Sequence, residues 1–298
     1  MRNTILIEAP SNLGLIEPQP GIKPGVKYFP EAMKKAGFAE LAGIKNIFTV
    51  SPPAYSGEID NESKARNADK IVEYSKQLAN VIQENIQQKN LQVVIGGDCS
   101  ILIGACLALK RNGNYGLFFL DGHTDYVLPH QSGSNGAAGM DLAIVTGNGH
   151  NKLTNIEPLK PYIEEQNVFC CGNRDISIDW YVNAILQSNI SYYDLYVLRK
   201  KGIKNVVSEF LQMVASKKLD GFWIHFDVDV LNDEIMPCVD SRQEDGMSYE
   251  ELKQTLQPLI ASPLCIGIEV TIFDPTLDKD GKYGKQLANE LASVLRSL

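Results

Sequence analysis

The sequence predicts an α/β protein: a three-layer α-β-α sandwich on a mainly parallel sheet, built as one domain over residues 1–298. Three observations lead there. Short apolar runs alternate along the chain with amphipathic stretches of helical period. The runs are apolar at both alternating positions, as strands covered by helices above and below must be. No Pro-, Gly- or Ser-rich linker, internal repeat or low-complexity tract divides the chain, and its length allows a sizeable core.

In chain order, TILIEAP (4–10) and IFTV (47–50) are the first two strands, each rich in β-branched or aromatic residues. Residues 67–89 place Ile71, Tyr74, Leu78, Val81, Ile82 and Ile86 on one helical face. LQVVIGG (91–97), YGLFFLDG (115–122) and VFCCG (168–172) are strands that stop at glycines. A second helix over 204–217 faces inward through Val207, Phe210, Leu211 and Val214. GFWIHFDVD (221–229) and CIGIEVT (265–271) complete the strands, and KQLANELASVLRSL (285–298) is a closing helix through Leu287, Leu291, Val294 and Leu295. Segments 122–150 and 231–248, rich in Gly, Asn, Ser and Asp, read as loops. Such loops at the carboxyl ends of parallel strands form the ligand site.

Composition narrows the function. The net charge is −8 with Lys and Arg scattered, so no basic field exists to hold nucleic acid or an anionic membrane. The start, MRNTILIEAPSN, is too briefly apolar for a secretory signal, and no later run reaches membrane-spanning length, so a cytoplasmic protein is expected. Six cysteines without a CxxC pair read as free, mostly buried thiols.

Three strands end in polar residues at the same sheet edge: GGDCS, LFFLDGHTD and WIHFDVDVLND. Side chains two apart along an extended chain point the same way, so Asp121, His123 and Asp125 converge, as do Asp227 and Asp229. A single D-x-D is common in ordinary loops, but three such clusters, each after a buried strand, would crowd carboxylates that only cations can neutralise. A divalent metal centre, of one or two ions, is the expectation. Oxygen-rich ligation with one imidazole suits Mn²⁺. Two close ions lower the pKa of a shared water, so the reaction class is hydrolysis at an electrophilic carbon or phosphorus.

GGDCS, DGHTD and HFDVDVLND resemble, in the same order, the GGDHS, DAHxD and SFDxDxxDP motifs of the arginase, agmatinase and related ureohydrolase family. IEAPSNLG, RDIS (174–177), GMSYEEL (246–252) and FDPTLD (273–278) extend the resemblance over most of the chain. It implies the family's three-layer fold, shared in outline with deacetylases. It also implies metal-dependent cleavage of a C–N bond in a linear amidine or guanidino small molecule, in a homo-oligomer. Carried over, Asp121 and Asp227 bridge two ions. His123 and Asp229 complete one, and Asp125 with Cys99 the other. Asp125 is also the catalytic proton acceptor, and positions Arg174, Ser177 and Ile272 face the substrate.

The departures matter as much. Cys99 stands where the family keeps histidine; it is either a thiolate ligand favouring Zn²⁺ or another later transition metal, or a small residue filling a lost ligand's place. Ala138 replaces a proton-relaying histidine, leaving His130 and His150 as substitutes or as solvated loop residues. Ile272 takes the place of a guanidinium-binding glutamate, while alternation turns Glu269 to the other side. His225, in place of serine, either orients a ligand carboxylate from behind or is a satisfied core residue. Ser177 replaces an aspartate, and Arg242 is an anion clamp or a solvated arginine. Asp98 should point away from the ions and brace its loop. Beside the amidine hydrolase stand two alternatives: a non-catalytic or single-metal relative, and an amide hydrolase on the same fold.

Overall fold

A computed structural model describes residues 3–296. Its strands are β1 (Thr4–Glu8), β2 (Asn46–Thr49), β3 (Leu91–Ile95), β4 (Tyr115–Leu120), β5 (Val168–Cys171), β6 (Ser191–Tyr193), β7 (Gly221–Asp227) and β8 (Cys265–Thr271). They form one sheet in the order β2-β1-β3-β8-β7-β4-β5-β6, and every adjacent pair is parallel. The α-β-α fold class read from the sequence is thus the one observed.

Helices cover both faces. Ala68–Gln87 and Ile101–Asn112 pack with Ile5, Ile7, Val94, Phe119 and Trp223 on one side. Ile203–Ser216, Tyr249–Ala261 and Lys282–Arg296 pack with Leu6, Val93, Phe118, Ile224 and Val270 on the other. Burial alternates between the two cores along the central strands, so those runs look uniformly apolar in sequence. Ser297 and Leu298, the end of the expected closing helix, lie outside the described residues.

Two expectations need correction, and one helix went unpredicted. IFTV is not a doubly covered strand: β2 is the sheet edge, and all four of its residues are exposed. The segment 122–150 is not all loop, because Ala138–Met140 and Asp141–Val145 form short buried helices. Helix Ile101–Asn112 escaped prediction because nine of its twelve residues are buried, leaving no polar face to mark a period.

The topology places the site. The chain leaves β3 and next enters the sheet at β4, with β8 and β7 between them. The carboxyl ends of these four central strands therefore share one crevice. All six cysteines are buried thiols. Among the described residues no helix is long and apolar enough to cross a membrane.

Candidate metal centre

Strand alternation is not what gathers the carboxylates. β4 ends at Leu120 and β7 at Asp227, so Asp121–Asp125 and Asp229 lie on turns. Short polar residues at strand ends cap their own backbone, and that local bonding bends the chain. Asp121 accepts the His123 N–H at 2.7 Å and Asp227 accepts the Asp229 N–H at 2.8 Å. Asp229 in turn accepts the Gly122 N–H at 3.0 Å, tying the two turns together. Asp125 sits at φ 42°, a left-handed conformation that aspartate tolerates better than most residues.

Two groups of donors result. In one, atoms of Cys99, Asp121, His225 and Asp227, all buried, lie within 4.8 Å of one another; in the other, so do Asp121, His123 and Asp229. Asp121 belongs to both. His123 Nδ1 is 3.0 Å from Asp229 and 3.5 Å from Asp121, and its Nε2 is 3.9 Å from Asp175. The Cys99 thiol donates to Asp227 at 2.8 Å, and its sulfur lies 3.2 Å from the Thr271 hydroxyl. Asp125 falls in neither group.

His225 has a partner on one nitrogen only. Its Nδ1 is 2.7 Å from Glu269, its ring stacks on Phe119 with centroids 4.5 Å apart, and its Nε2 has no hydrogen-bond partner. Glu269 does face away from Ile272: it sits with His225, whereas Ile272 lies in the opposite core. Asp141, missed in the sequence, is fully buried with both carboxylate oxygens unpartnered, 4.0 Å from His225 Nε2. Its signal was an aspartate inside the apolar run MDLAIV.

These residues suit a divalent cation. Asp121 Oδ2, both Asp141 oxygens and His225 Nε2 are buried without hydrogen-bond partners, left with ion-pair contacts of 3.6 and 4.0 Å that a cation would replace. Burial, reinforced by neighbouring carboxylates, pushes the Asp125, Asp141 and Asp227 carboxyls well above their ordinary range. For Asp121, burial is outweighed by the neighbouring His123 and His225 imidazoles, which hold it at about 2. Both imidazoles are raised, because the surrounding carboxylates outweigh burial.

The sign for the metal-free protein follows. The three raised carboxyls and both imidazoles bind protons more tightly folded than unfolded, so their contribution is full below the ordinary values of 3.8 and 6.5 and is lost as pH rises through the raised ones. Asp121 acts oppositely, but only below about pH 4. Melting temperature in chelator should therefore fall from about pH 5 to pH 8, and added divalent metal should flatten the fall. Calorimetry showing no fall in chelator would contradict this charge assignment.

The remaining predicted positions are placed as follows. Arg174 donates to the carbonyls of Val230 at 2.7 Å and Asp229 at 2.6 Å, bracing the turn that carries Asp229. Ser177 is exposed on the turn before helix Asp179–Leu186. Ile272 is buried at φ 74°, a strained conformation for a β-branched residue, in the same apolar cluster as Cys99 and Ala138. Arg242 is occupied by Asp233 through contacts of 2.6 and 2.7 Å, rather than free to clamp an anion. His130 is exposed, and His150 caps a short helix, so neither stands in for the histidine absent at Ala138. Asp98 braces its loop through Ser11, Gly14 and Ser100.

A model of the Arginase family matches residues 4–296. The chain belongs to the arginase family. An arginase of Staphylococcus aureus (strain COL) is 28% identical over 291 residues, covering 94% of this chain and 93% of its own. An arginase of Bacillus subtilis (strain 168) is 28% identical over 276 residues, covering 91% and 92%. The crystal structure of Bacillus subtilis arginase superposes with a TM-score of 0.85 at 25% identity, over 99% of this chain and 98% of that one. Within this arginase-family fold Cys99 and His225 belong to one candidate donor group, and Ala138 and Ile272 share the apolar cluster that contains Cys99.

Proposed function

We propose that the protein is a metal-dependent hydrolase that cleaves a C–N bond in a linear amidine or guanidino compound. The observation that carries the reading is the gathering of Asp121, His123 and Asp229 at the strand ends of an arginase-family chain. These three would hold a divalent ion, which when bound supplies Lewis acidity and lowers the pKa of water. Asp125, half-buried and pushed up in pKa, takes the proton that water gives up on attack. Arg174 keeps the Asp229 turn rigid, and Asp175, held by Gln243 at 2.6 Å, faces the outer nitrogen of His123. Ala138 has no proton to relay, so the leaving amine takes its proton from water on the side where His123 and Asp175 are partly exposed.

Ile272 offers no charge to a guanidinium, so arginine is not the preferred substrate. The same residue, together with Ala138, favours a second reading: a relative that binds metal or a small molecule without turnover. Release of urea and ammonia, measured across guanidino, amidine, ureido and amide compounds with the metal-loaded protein, separates the two. Asp125→Asn should lower kcat by about 10²–10⁴ while leaving metal content intact. Bound metal with no turnover of any compound would favour the second reading, and no bound metal under any condition would defeat the first.

A further inference from the structure

We infer that Cys99, Asp121, His225 and Asp227 form a thiolate–imidazole metal site for Zn²⁺ or a similar late transition ion, with His225 as a direct ligand and Asp125 outside the set. This rests on the reading that the strand-end centre holds metal, and it changes which residues hold it and which ion they select. The donor set is one sulfur, one nitrogen and two carboxylates, all on buried residues with donor atoms within 4.8 Å. A soft thiolate and an imidazole select zinc-like ions over Mn²⁺, and four donors suit a tetrahedron.

Glu269 decides the role of His225. Metal-bound histidines commonly give their other ring N–H to a carboxylate, which fixes tautomer and orientation. Here Nδ1 meets Glu269 at 2.7 Å and Phe119 clamps the ring, leaving Nε2 as the free nitrogen. That atom is buried and unpartnered, 3.6 Å from Asp121 Oδ2, which is also unpartnered. The gap is too long for a hydrogen bond. Two ligands at zinc distances of about 2.0–2.2 Å stand roughly 3.4 Å apart in a tetrahedron, close to the gap seen. An imidazolium there would face the buried acids through ion-pair contacts alone, with no hydrogen bond from Nε2. The nearest carboxylates, Asp121 and Asp141, are at 3.6 and 4.0 Å. Cys99 already touches Asp227 at 2.8 Å, and metal binding would replace the thiol proton with the ion, releasing it to solvent.

The test is reconstitution of the full chain with Co²⁺, read by absorption and metal stoichiometry. The wild type should show a near-ultraviolet sulfur-to-cobalt charge-transfer band with intense tetrahedral visible bands. Cys99→Ser should lose the charge-transfer band. Cys99→His should lose it while keeping the ion, a control that does not depend on loss of binding. His225→Asn should weaken Co²⁺ at this site more than Glu269→Gln, for which about a 10–100-fold loss is expected. Circular dichroism of each variant shows that the fold survives. Cobalt bound without a thiolate band, or His225→Asn with unchanged affinity and spectrum, would overturn the inference. So would nitrogen NMR showing His225 doubly protonated in the metal-loaded protein. Amidine hydrolysis persisting without a thiolate signal would reject this site and leave the proposed function standing. A thiolate signal without hydrolysis would do the reverse.

Discussion

Asp121→Asn should strip the protein of bound metal and lower any hydrolytic activity by about 10³-fold or more, roughly 4 kcal/mol of transition-state stabilisation. The reason is its position. Asp121 is the one residue common to both donor groups, so its loss weakens each of them at once. The change is nearly isosteric. Its amide oxygen can still accept the His123 N–H now bonded at 2.7 Å, so the turn after β4 should hold its shape. What disappears is a buried negative charge that His123 and His225 keep ionised. Elemental analysis of the variant and its parent, purified in parallel, reads the outcome directly. Full metal content in a folded Asp121→Asn protein would remove Asp121 from both groups.

The fold was legible because a doubly covered parallel sheet leaves a strong trace: runs such as VVIGG and FFLDG stay apolar at every position, then stop at a polar edge. Legibility failed where that trace weakens. β2 carries Ile47 and Phe48 yet lies exposed at the edge, and helix Ile101–Asn112 is too buried to show amphipathic period. At the site, motif order pointed to Asp121, His123, Asp227 and Asp229, which the fold does bring together, but alternation explained their convergence wrongly. Asp229 and Asp125 lie on turns beyond the strands, where a period of two no longer applies. The Glu269–His225 contact links neighbouring strands 44 residues apart, and Asp141 arrives from a separate segment. Such partners are set by the strand order β4-β7-β8, which periodicity within a single segment cannot supply. The acidic residues inside apolar runs were nevertheless visible as exceptions. A buried charge in IGIEVT or MDLAIV has no reason to persist without a partner.

The two glycines before Asp98 should respond very differently to alanine, although they are adjacent and alike in sequence. At Gly97 a Cβ would lie 1.6 Å from the Ser11 carbonyl oxygen and 2.6 Å from its carbon. Both are backbone atoms of the loop that Asp98 itself grips through Ser11 and Gly14, so neither side can yield without breaking those bonds. At Gly96 the close neighbour is the Cδ1 end of Ile101, at 2.2 Å, which a rotamer change can withdraw. Gly97→Ala should therefore cost about 3 kcal/mol or more, and Gly96→Ala about 1–2 kcal/mol. In a chain of this length, 3 kcal/mol corresponds to a melting temperature lower by roughly 5 °C. The larger effect also reaches the metal centre, since Gly97 accepts the Ile272 N–H at 2.8 Å and stands two residues before Cys99. Displacing this turn moves the thiol away from Asp227. Folded Gly97→Ala should then bind Co²⁺ with a reduced thiolate signal, whereas Gly96→Ala should keep it. Equal melting temperatures for the two variants would show that the close approach of Gly97 to Ser11 does not hold the turn in place.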